Sequence, residues 1–299
     1  MNILISDGMG NEGVQKLESA GFSISKLKDK HNPNEIQIVI VRSRFCINET
    51  FLNKYANVRL VAKLGTGLDN IDVVLCRNRE IKVINAPGLN ANATAEFTLG
   101  MMISIVKKIT TVNKKVLNKD FRRSMYYGRE LKLLNVGIIG YGNIGKLIHE
   151  KVKFLVKNIM IYSRRTDFDN SVSLDTLLKK SDVVILALSL TGNEKIVNED
   201  FLNKCKEDVL LMNIARGALV CEKTLIDHLR KNEKFQYYTD VLEKEPNYSI
   251  SPKIQNYENK LFAHNNFIYT PHIAGMTTES QRDISNYISE KIIKEFIHE

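Results

Sequence analysis

Residues 136–145 read VGIIGYGNIG, and this stretch decides the fold of the chain. An apolar run of strand length ends directly in a Gly-x-Gly-x-x-Gly turn. Residues 146–152 then place apolar side chains at helical spacing, and residues 159–162 form a second short apolar run. A strand, a glycine turn, a helix and a strand in this order predict a dinucleotide-binding βαβ unit.

The three glycines are expected to have separate tasks in this unit. Gly140 allows the tight turn, Gly142 allows the pyrophosphate to approach the backbone, and Gly145 allows the helix to pack closely. The start of the helix offers unpaired N–H groups and a partial positive charge to the phosphates. The predicted coenzyme contacts of this turn are Gly140, Tyr141, Gly142, Asn143, Ile144 and Gly145.

The residues after the second strand indicate which dinucleotide is bound. A carboxylate there holds a free ribose 2′-hydroxyl, whereas a small residue followed by arginines suits a 2′-phosphate. Ser163, Arg164 and Arg165 stand at these positions, so the sequence favours NADP(H). NAD(H) stays open, because the arginines could be a solvated pair and Asp167 could reach back to a ribose.

Composition and charge limit the possible partners. A chain of 299 residues with 43% hydrophobic and 26% charged residues is ordinary for a globular protein of about two domains. The net charge of +9 comes from 43 Lys and Arg against 34 Asp and Glu, and the basic residues are spread rather than clustered. We therefore expect anionic small molecules and no nucleic acid as partners.

Neither a secretory signal nor a membrane segment is predicted. Asp7 interrupts the first apolar run almost at once. The longest apolar stretch, residues 95–106, contains Glu96 and is too short to span a bilayer. The four cysteines are scattered without metal-ligand spacing, which fits free thiols in a reducing compartment. The sequence therefore predicts a cytoplasmic protein that binds neither membrane nor metal.

Two series of short apolar strands alternate with helical patterns, which predicts two α/β domains with doubly wound parallel sheets. Between the series, residues 93–106 are apolar nearly all round, with Thr94 as the expected N-cap. Such a helix must be buried between domains or subunits. The predicted strands are 2–6, 36–41, 59–64 and 82–84 in the first series and 136–139, 159–162, 183–188, 209–214, 237–241 and 267–269 in the second.

Polar residues follow the later strands of the second series, at the edge where doubly wound sheets bind ligands. Arg216 suits a substrate carboxylate, because its planar fork binds carboxylates bidentately. His272 suits proton transfer near neutral pH, and Glu245 would orient its ring. Ser189, Ala215 and Asp240, which follow the third to fifth strands, are further predicted coenzyme contacts, and the candidate catalytic residues are Arg216, Glu245 and His272.

The motifs also have a family likeness. They read GTGLDNID at 65–72, NAPG at 85–88, AEFTLG at 95–100, GYGNIG at 140–145, ARGALV at 215–220, DVLEKEP at 240–246 and PHIAG at 271–275. Because of the number, order and spacing of these motifs, the chain resembles the D-isomer-specific 2-hydroxyacid dehydrogenases over nearly its whole length.

The resemblance implies a role for each part of the chain. Residues 1–92 with 273–299 would form a flavodoxin-like substrate domain, residues 93–272 a Rossmann coenzyme domain, and residues 93–106 the interface of a homodimer. Asp240 would lie beside the nicotinamide carboxamide. The catalytic trio would be Arg216, Glu245 and His272, and the expected substrate contacts are Arg42, Ser43, Leu64, Gly65, Thr66 and Gly67.

The expected reaction is the reversible reduction of a 2-keto acid to a D-2-hydroxy acid by hydride transfer from NADPH, with His272 as acid and base. A formate dehydrogenase is disfavoured, because those relatives carry glutamine where Glu245 stands. Phosphite oxidation and a non-enzymatic, coenzyme-sensing corepressor remain alternatives. The sequence leaves open which 2-hydroxy acid is the substrate.

Overall fold

The computed structural model describes residues 1–6, 8–164, 169–246 and 256–297, so Arg165 and Asp167 lie outside the described residues. The chain divides into two units. The first comprises Met1–Asn90 and Met276–Glu299, and the second is Ala91–Gly275. The boundaries drawn from the sequence differ from these by two and three residues.

The first unit is built on five parallel strands in the order β2-β1-β3-β4-β5, which is the flavodoxin-like order. Alternate residues of each strand face opposite sides of the sheet. Its strands are β1 (Asn2–Ile5), β2 (Ser23–Lys26), β3 (Ile36–Val41), β4 (Leu60–Lys63) and β5 (Lys82–Ile84).

Helices cover both faces of this sheet. Helices α1 (Asn11–Ser19) and α10 (Thr278–Ile297) bury one face, with Leu17, Ile284, Ile288 and Ile292 packed on the strands. Helices α2 (Glu49–Lys54) and α3 (Val73–Asn78) bury the other. Helix α10 approaches α1 closely, since the Ser289 hydroxyl donates to the Gly13 carbonyl at 2.9 Å.

The second unit is built on six parallel strands in the order β11-β10-β9-β8-β6-β7. Among the described residues, a single parallel bridge between Ile161 and Ser171 continues the sheet beyond β7. The order agrees with a Rossmann sheet whose third strand is reduced to this bridge and which has β11 added at the opposite edge. The strands are β6 (Asn135–Ile139), β7 (Asn158–Tyr162), β8 (Val183–Leu186), β9 (Leu210–Asn213), β10 (Gln236–Thr239) and β11 (Phe267–Tyr269).

Two hydrophobic cores cover this sheet. One joins its strands to α4 (Ala91–Val106) and α6 (Asn143–Val152), and the other joins them to α7 (Leu174–Lys180), α8 (Glu199–Lys204) and α9 (Glu222–Lys231). A further helix, α5 (Ile109–Leu117), has no buried residue. The two parallel α/β sheets confirm the predicted fold class.

Two details differ from the sequence analysis. Strand β2 was not predicted, because its polar edge segment SISK lacks the apolar pattern of the inner strands. Helix α4 begins at Ala91, so Thr94 lies inside the first turn and is not the cap. Ala95, Met102 and Ile105 of α4 are buried in a core of the second unit itself.

Within the described part of the chain, no helix combines the length and apolarity needed to cross a bilayer.

Candidate active site

The glycine turn between β6 and α6 leaves room for a ligand at the start of the helix. Gly140 has a φ of +99°, and a Cβ there would lie 2.5 Å from the Ala187 carbonyl oxygen. A Cβ on Gly145 would lie 2.2 Å from the Gly140 carbonyl oxygen. A Cβ on Gly142, in contrast, would meet nothing within 4 Å. The turn therefore fits a pyrophosphate, which the first N–H groups of α6 can bind.

The other residues of the turn lie around this space. The Tyr141 hydroxyl is hydrogen-bonded to Nδ1 of His149 at 2.7 Å, so its side chain folds back along α6. Burial raises the pKa of the Tyr141 phenol. Asn143 is exposed, and Ile144 packs against the core beneath α4 and α6.

The residues proposed to select the coenzyme follow β7. Ser163 is half-buried directly after the strand, and Arg164 is exposed. Arg164 Nη2 donates to the Thr191 carbonyl at 3.0 Å, so its side chain reaches the loop that follows β8. Ser189 lies in the same loop and is exposed.

The loop that carries Arg216 is held by a buried asparagine at the end of β9. Asn213 is fully buried; its amide oxygen accepts from the Ala215 N–H at 3.1 Å and its amide nitrogen donates to the Arg216 carbonyl at 2.9 Å. The half-buried Arg216 side chain donates from Nη1 to the Ala215 carbonyl at 2.7 Å. The next residue, Gly217, packs directly on a peptide of another loop, since its Cβ would lie 2.2 Å from Glu243 N.

Asp240 organises the turn that carries His272. Its carboxylate is 2% exposed and accepts from the Thr270 hydroxyl at 2.6 Å and from the N–H groups of Ile273 and Ala274 at 3.0 and 2.8 Å. Burial raises the pKa of Asp240, although these hydrogen bonds and the nearby His272 oppose the rise. The contact of Asp240 with a nicotinamide carboxamide stays a prediction.

His272 and Glu245 form a direct pair. His272 has a left-handed backbone, with a φ of +57°, and its N–H donates to the carbonyls of Asp240 and Thr270, both at 2.9 Å. Nδ1 of its ring lies 2.9 and 3.0 Å from the two carboxylate oxygens of Glu245. A carboxylate at Nδ1 fixes the ring so that Nε2 is the nitrogen available for proton exchange.

The candidate substrate residues lie in the first unit. Leu64 is buried after β4, and the Gly65 N–H donates to the Lys63 carbonyl at 2.9 Å. The Thr66 hydroxyl donates to the Ala86 carbonyl at 3.3 Å, and Gly67 is half-buried. Arg42 Nε donates to the Gly8 carbonyl at 2.7 Å.

The Arg42 loop and the glycine loop of this unit are tied together by the buried Lys63 and the half-buried Asn70. Lys63 is 3% exposed, and its ammonium donates to the side-chain oxygen of Asn70. The Asn70 amide in turn donates to the carbonyls of Arg42, at 2.8 Å, and Phe45. Ser43 lies in the same loop and is exposed.

Sequence reasoning missed the residues that position the candidate groups. Asn213 and Thr270 had a signal, because each is polar at the end of an apolar strand. The close approach of Gly217 to the Glu243 peptide had no signal in the sequence, because this contact joins loops that follow different strands.

Comparisons with known proteins identify the class. Residues 99–274 match the family model described as "D-isomer specific 2-hydroxyacid dehydrogenase, NAD binding domain". The chain belongs to this family.

Similar proteins of several organisms carry particular names. The chain is 31% identical over 266 residues to a hydroxypyruvate reductase of Thermotoga maritima, covering 87% of this chain and 85% of that protein. It is 28% identical to a D-3-phosphoglycerate dehydrogenase of Bacillus subtilis, covering 98% of this chain but only 56% of that protein. The NAD⁺-bound 3-phosphoglycerate dehydrogenase of Entamoeba histolytica has a TM-score of 0.81 at 27% identity, with 99% and 95% of the two chains covered.

Proposed function

We propose that this chain reversibly reduces a 2-keto acid to the D-2-hydroxy acid, with NADPH preferred over NADH. The observation that carries the proposal is the pairing of His272 Nδ1 with the Glu245 carboxylate at 2.9 and 3.0 Å. This pair turns a histidine into an oriented proton donor and acceptor at one end of a sheet whose glycine turn fits a dinucleotide.

The second unit would bind the coenzyme along the carboxyl ends of its strands. The N–H groups at the start of α6 would hold the pyrophosphate. Ser163 and Arg164 support binding of a 2′-phosphate, because a hydroxyl and a guanidinium can both donate to it. Ser189, Ala215 and Asp240 would line the remainder of the site. When bound, the coenzyme supplies the hydride that reduces the substrate carbonyl.

His272 would move the proton. In reduction, the imidazolium donates the Nε2 proton to the substrate oxygen as that oxygen gains negative charge. Glu245 keeps the Nδ1 proton in place and stabilises the imidazolium beforehand. In oxidation, neutral Nε2 accepts the hydroxyl proton, and the same carboxylate stabilises the charge that forms.

The substrate carboxylate would be held by cations and backbone donors. Arg216 suits bidentate binding of a carboxylate and would also polarise the carbonyl. Since the Gly65 N–H already donates to Lys63, we assign the N–H groups of Thr66 and Gly67 to the substrate. Leu64, Arg42 and Ser43 would complete the contacts, with Arg42 favouring anionic substrates.

We also propose that the protein is a cytoplasmic homodimer formed around residues 93–106. Helix α5 follows this region and exposes Ile109, Val116 and Leu117, with 54%, 38% and 76% of their surfaces accessible. A second copy of the chain would cover this apolar surface.

Initial rates of NADPH and NADH oxidation against a panel of 2-keto acids test the proposal, with phosphite-dependent reduction of NADP⁺ and NAD⁺ measured alongside. We expect keto-acid turnover that favours NADPH, and we expect H272A to abolish turnover while leaving coenzyme binding intact. Turnover that favours NADH would refute the coenzyme preference only. Reaction with phosphite alone would replace the proposed substrate, and coenzyme binding without any turnover would indicate a sensor.

A further inference from the structure

Residues 241–246, called here the Glu245 segment, belong to no helix or strand. The position of this segment depends on side chains from elsewhere in the second unit. The Glu243 N–H donates to Oε1 of Glu222 at 3.1 Å. Oε2 of the same carboxylate accepts from the Asn259 amide at 3.3 Å. Glu222 is the first residue of α9, so its carboxylate ties the Glu243 peptide to that helix.

The next carbonyl along the segment is held by a phenol. The Tyr257 hydroxyl donates to the Lys244 carbonyl at 2.6 Å and accepts from the Asn259 amide at 3.5 Å. Burial raises the pKa of Tyr257, and the charges of Glu222 and Glu245 raise it further. The phenol therefore keeps its proton near neutral pH and remains a donor to Lys244.

Two further contacts hold the segment at Glu243. Lys195 Nζ lies 2.5 Å from Oε1 of Glu243 and donates to the Val220 carbonyl at 3.2 Å. A Cβ on Gly217 would lie 2.0 Å from the Leu242 carbonyl carbon. These contacts converge on the two residues directly before Glu245, and they link its position to the loop of Arg216.

We propose that Glu222 and Tyr257 are positioning residues, which hold Glu245 in register with Nδ1 of His272. The inference rests on the proposed function of that pair. A shift of the Lys244 carbonyl moves the neighbouring Glu245 with it, and a displacement of about 1 Å is enough to disturb a catalytic contact. Glu222 and Tyr257 act through Glu245 and touch neither substrate nor coenzyme in this proposal.

The contacts between the Glu245 carboxylate and Nδ1 of His272 depend on where the segment lies, so a loosened segment moves this carboxylate away from the ring. Ionisable groups that contact the pair or its segment include Asp240, Glu222, Glu243, Lys195 and Tyr257.

The test uses E222Q and Y257F in the full chain, singly and together. E199Q is the matched control, because Glu199 is likewise the first residue of a helix, α8. Y127F is the control for loss of a phenol, since Tyr127 is 78% exposed. The readouts are kcat and KM for keto-acid reduction across the pH range, and the downfield proton resonance of His272 Nδ1–H in the coenzyme-free protein, assigned by its loss in H272A.

We expect each test variant to lower kcat by about tenfold, which is the size of a modest misplacement of a catalytic group. The KM for coenzyme should stay constant, the pH profile of kcat should change, and the Nδ1–H resonance should shift upfield or broaden. Both controls should match wild type.

Two results would overturn the inference. One is a wild-type pH profile and resonance in both test variants. The other is a lower kcat with neither the pH profile nor the resonance changed, which would indicate a merely structural role. If the wild-type protein reduces no keto acid, the proposed function fails, while the resonance still decides whether Glu222 and Tyr257 position Glu245.

Discussion

Replacing Glu245 by glutamine removes a negative charge beside His272 and preserves the shape of the side chain. In the proposed reduction the imidazolium donates the proton, so the reaction slows if that form loses stabilisation. The carboxylate oxygens lie 2.9 and 3.0 Å from Nδ1. At about 3 Å, Coulomb's law gives about 1.4 kcal/mol at the dielectric constant of water and about 5.5 kcal/mol at an effective constant of about 20.

Solvent exposure decides which value applies. The His272 and Glu245 side chains are 37% and 26% exposed, so water screens the pair substantially. We therefore take about 2 kcal/mol, which corresponds to roughly a 30-fold loss in rate. Glutamine can still accept the Nδ1–H hydrogen bond, so the ring orientation should survive and the loss should reflect the charge alone.

The assay is kcat for keto-acid reduction at neutral pH with both substrates saturating, together with the Kd for coenzyme from fluorescence titration. We expect a kcat about 30-fold below wild type and an unchanged Kd. E207Q is the control, because Glu207 pairs with Lys234 at the surface and both side chains are about two-thirds exposed. A kcat for E245Q within about threefold of wild type would refute the argument that the Glu245 charge stabilises the imidazolium.

Three more changes test other parts of the chain. S163D should lower the NADPH-to-NADH ratio of kcat/KM by about 10-fold to 100-fold, because a carboxylate repels the 2′-phosphate and accepts from a free ribose; an unchanged ratio contradicts the assignment of Ser163. G217A should lower kcat by about 100-fold, since its Cβ would displace the Glu243 peptide; a near-wild-type kcat in steady-state kinetics would contradict this reading. D182A should lower the free energy of unfolding by about 2–3 kcal/mol in urea titrations, because the buried carboxylate accepts from Asn135 N–H, Arg129 and Lys206. Burial alone would raise the pKa of Asp182, but these hydrogen bonds keep it below its ordinary value. The difference from wild type should therefore be full above about pH 4 and shrink as the pH falls through the lowered pKa.

The inner strands of both sheets could be predicted because they are continuous apolar runs bounded by turns. The segments that could not be predicted are polar and lie at the edges of the sheets. In the described part of the chain, Ser23–Lys26 pairs with one neighbouring strand and Ser171 contributes a single bridge, so neither needs an apolar sequence. Thr94 looked like a cap because its side chain can accept a hydrogen bond, yet its carbonyl instead accepts from Thr98 within the helix.

The candidate site could be predicted where its functional residues come directly after a strand. Glu245 and His272 were inferred from separate motifs, and the structure brings them into contact. Their roles, and those of Arg216 and Ser163, stay predictions. The support around them could not be predicted, because the contacts of Glu222 with Glu243 and of Tyr257 with Lys244 connect residues 21 and 13 positions apart through loops without periodicity.

The packing of α10 also constrains the order in which the chain can fold during synthesis. The core that contains Ile3 and Leu17 is completed by Ile284, Ile288 and Ile292, almost at the far end of the sequence. The ribosome must therefore translate the whole of the second unit before α10 can pack on the sheet of the first unit. We infer that part of one face of the nascent first unit stays exposed until α10 is synthesised, while the unit synthesised later is free to fold earlier.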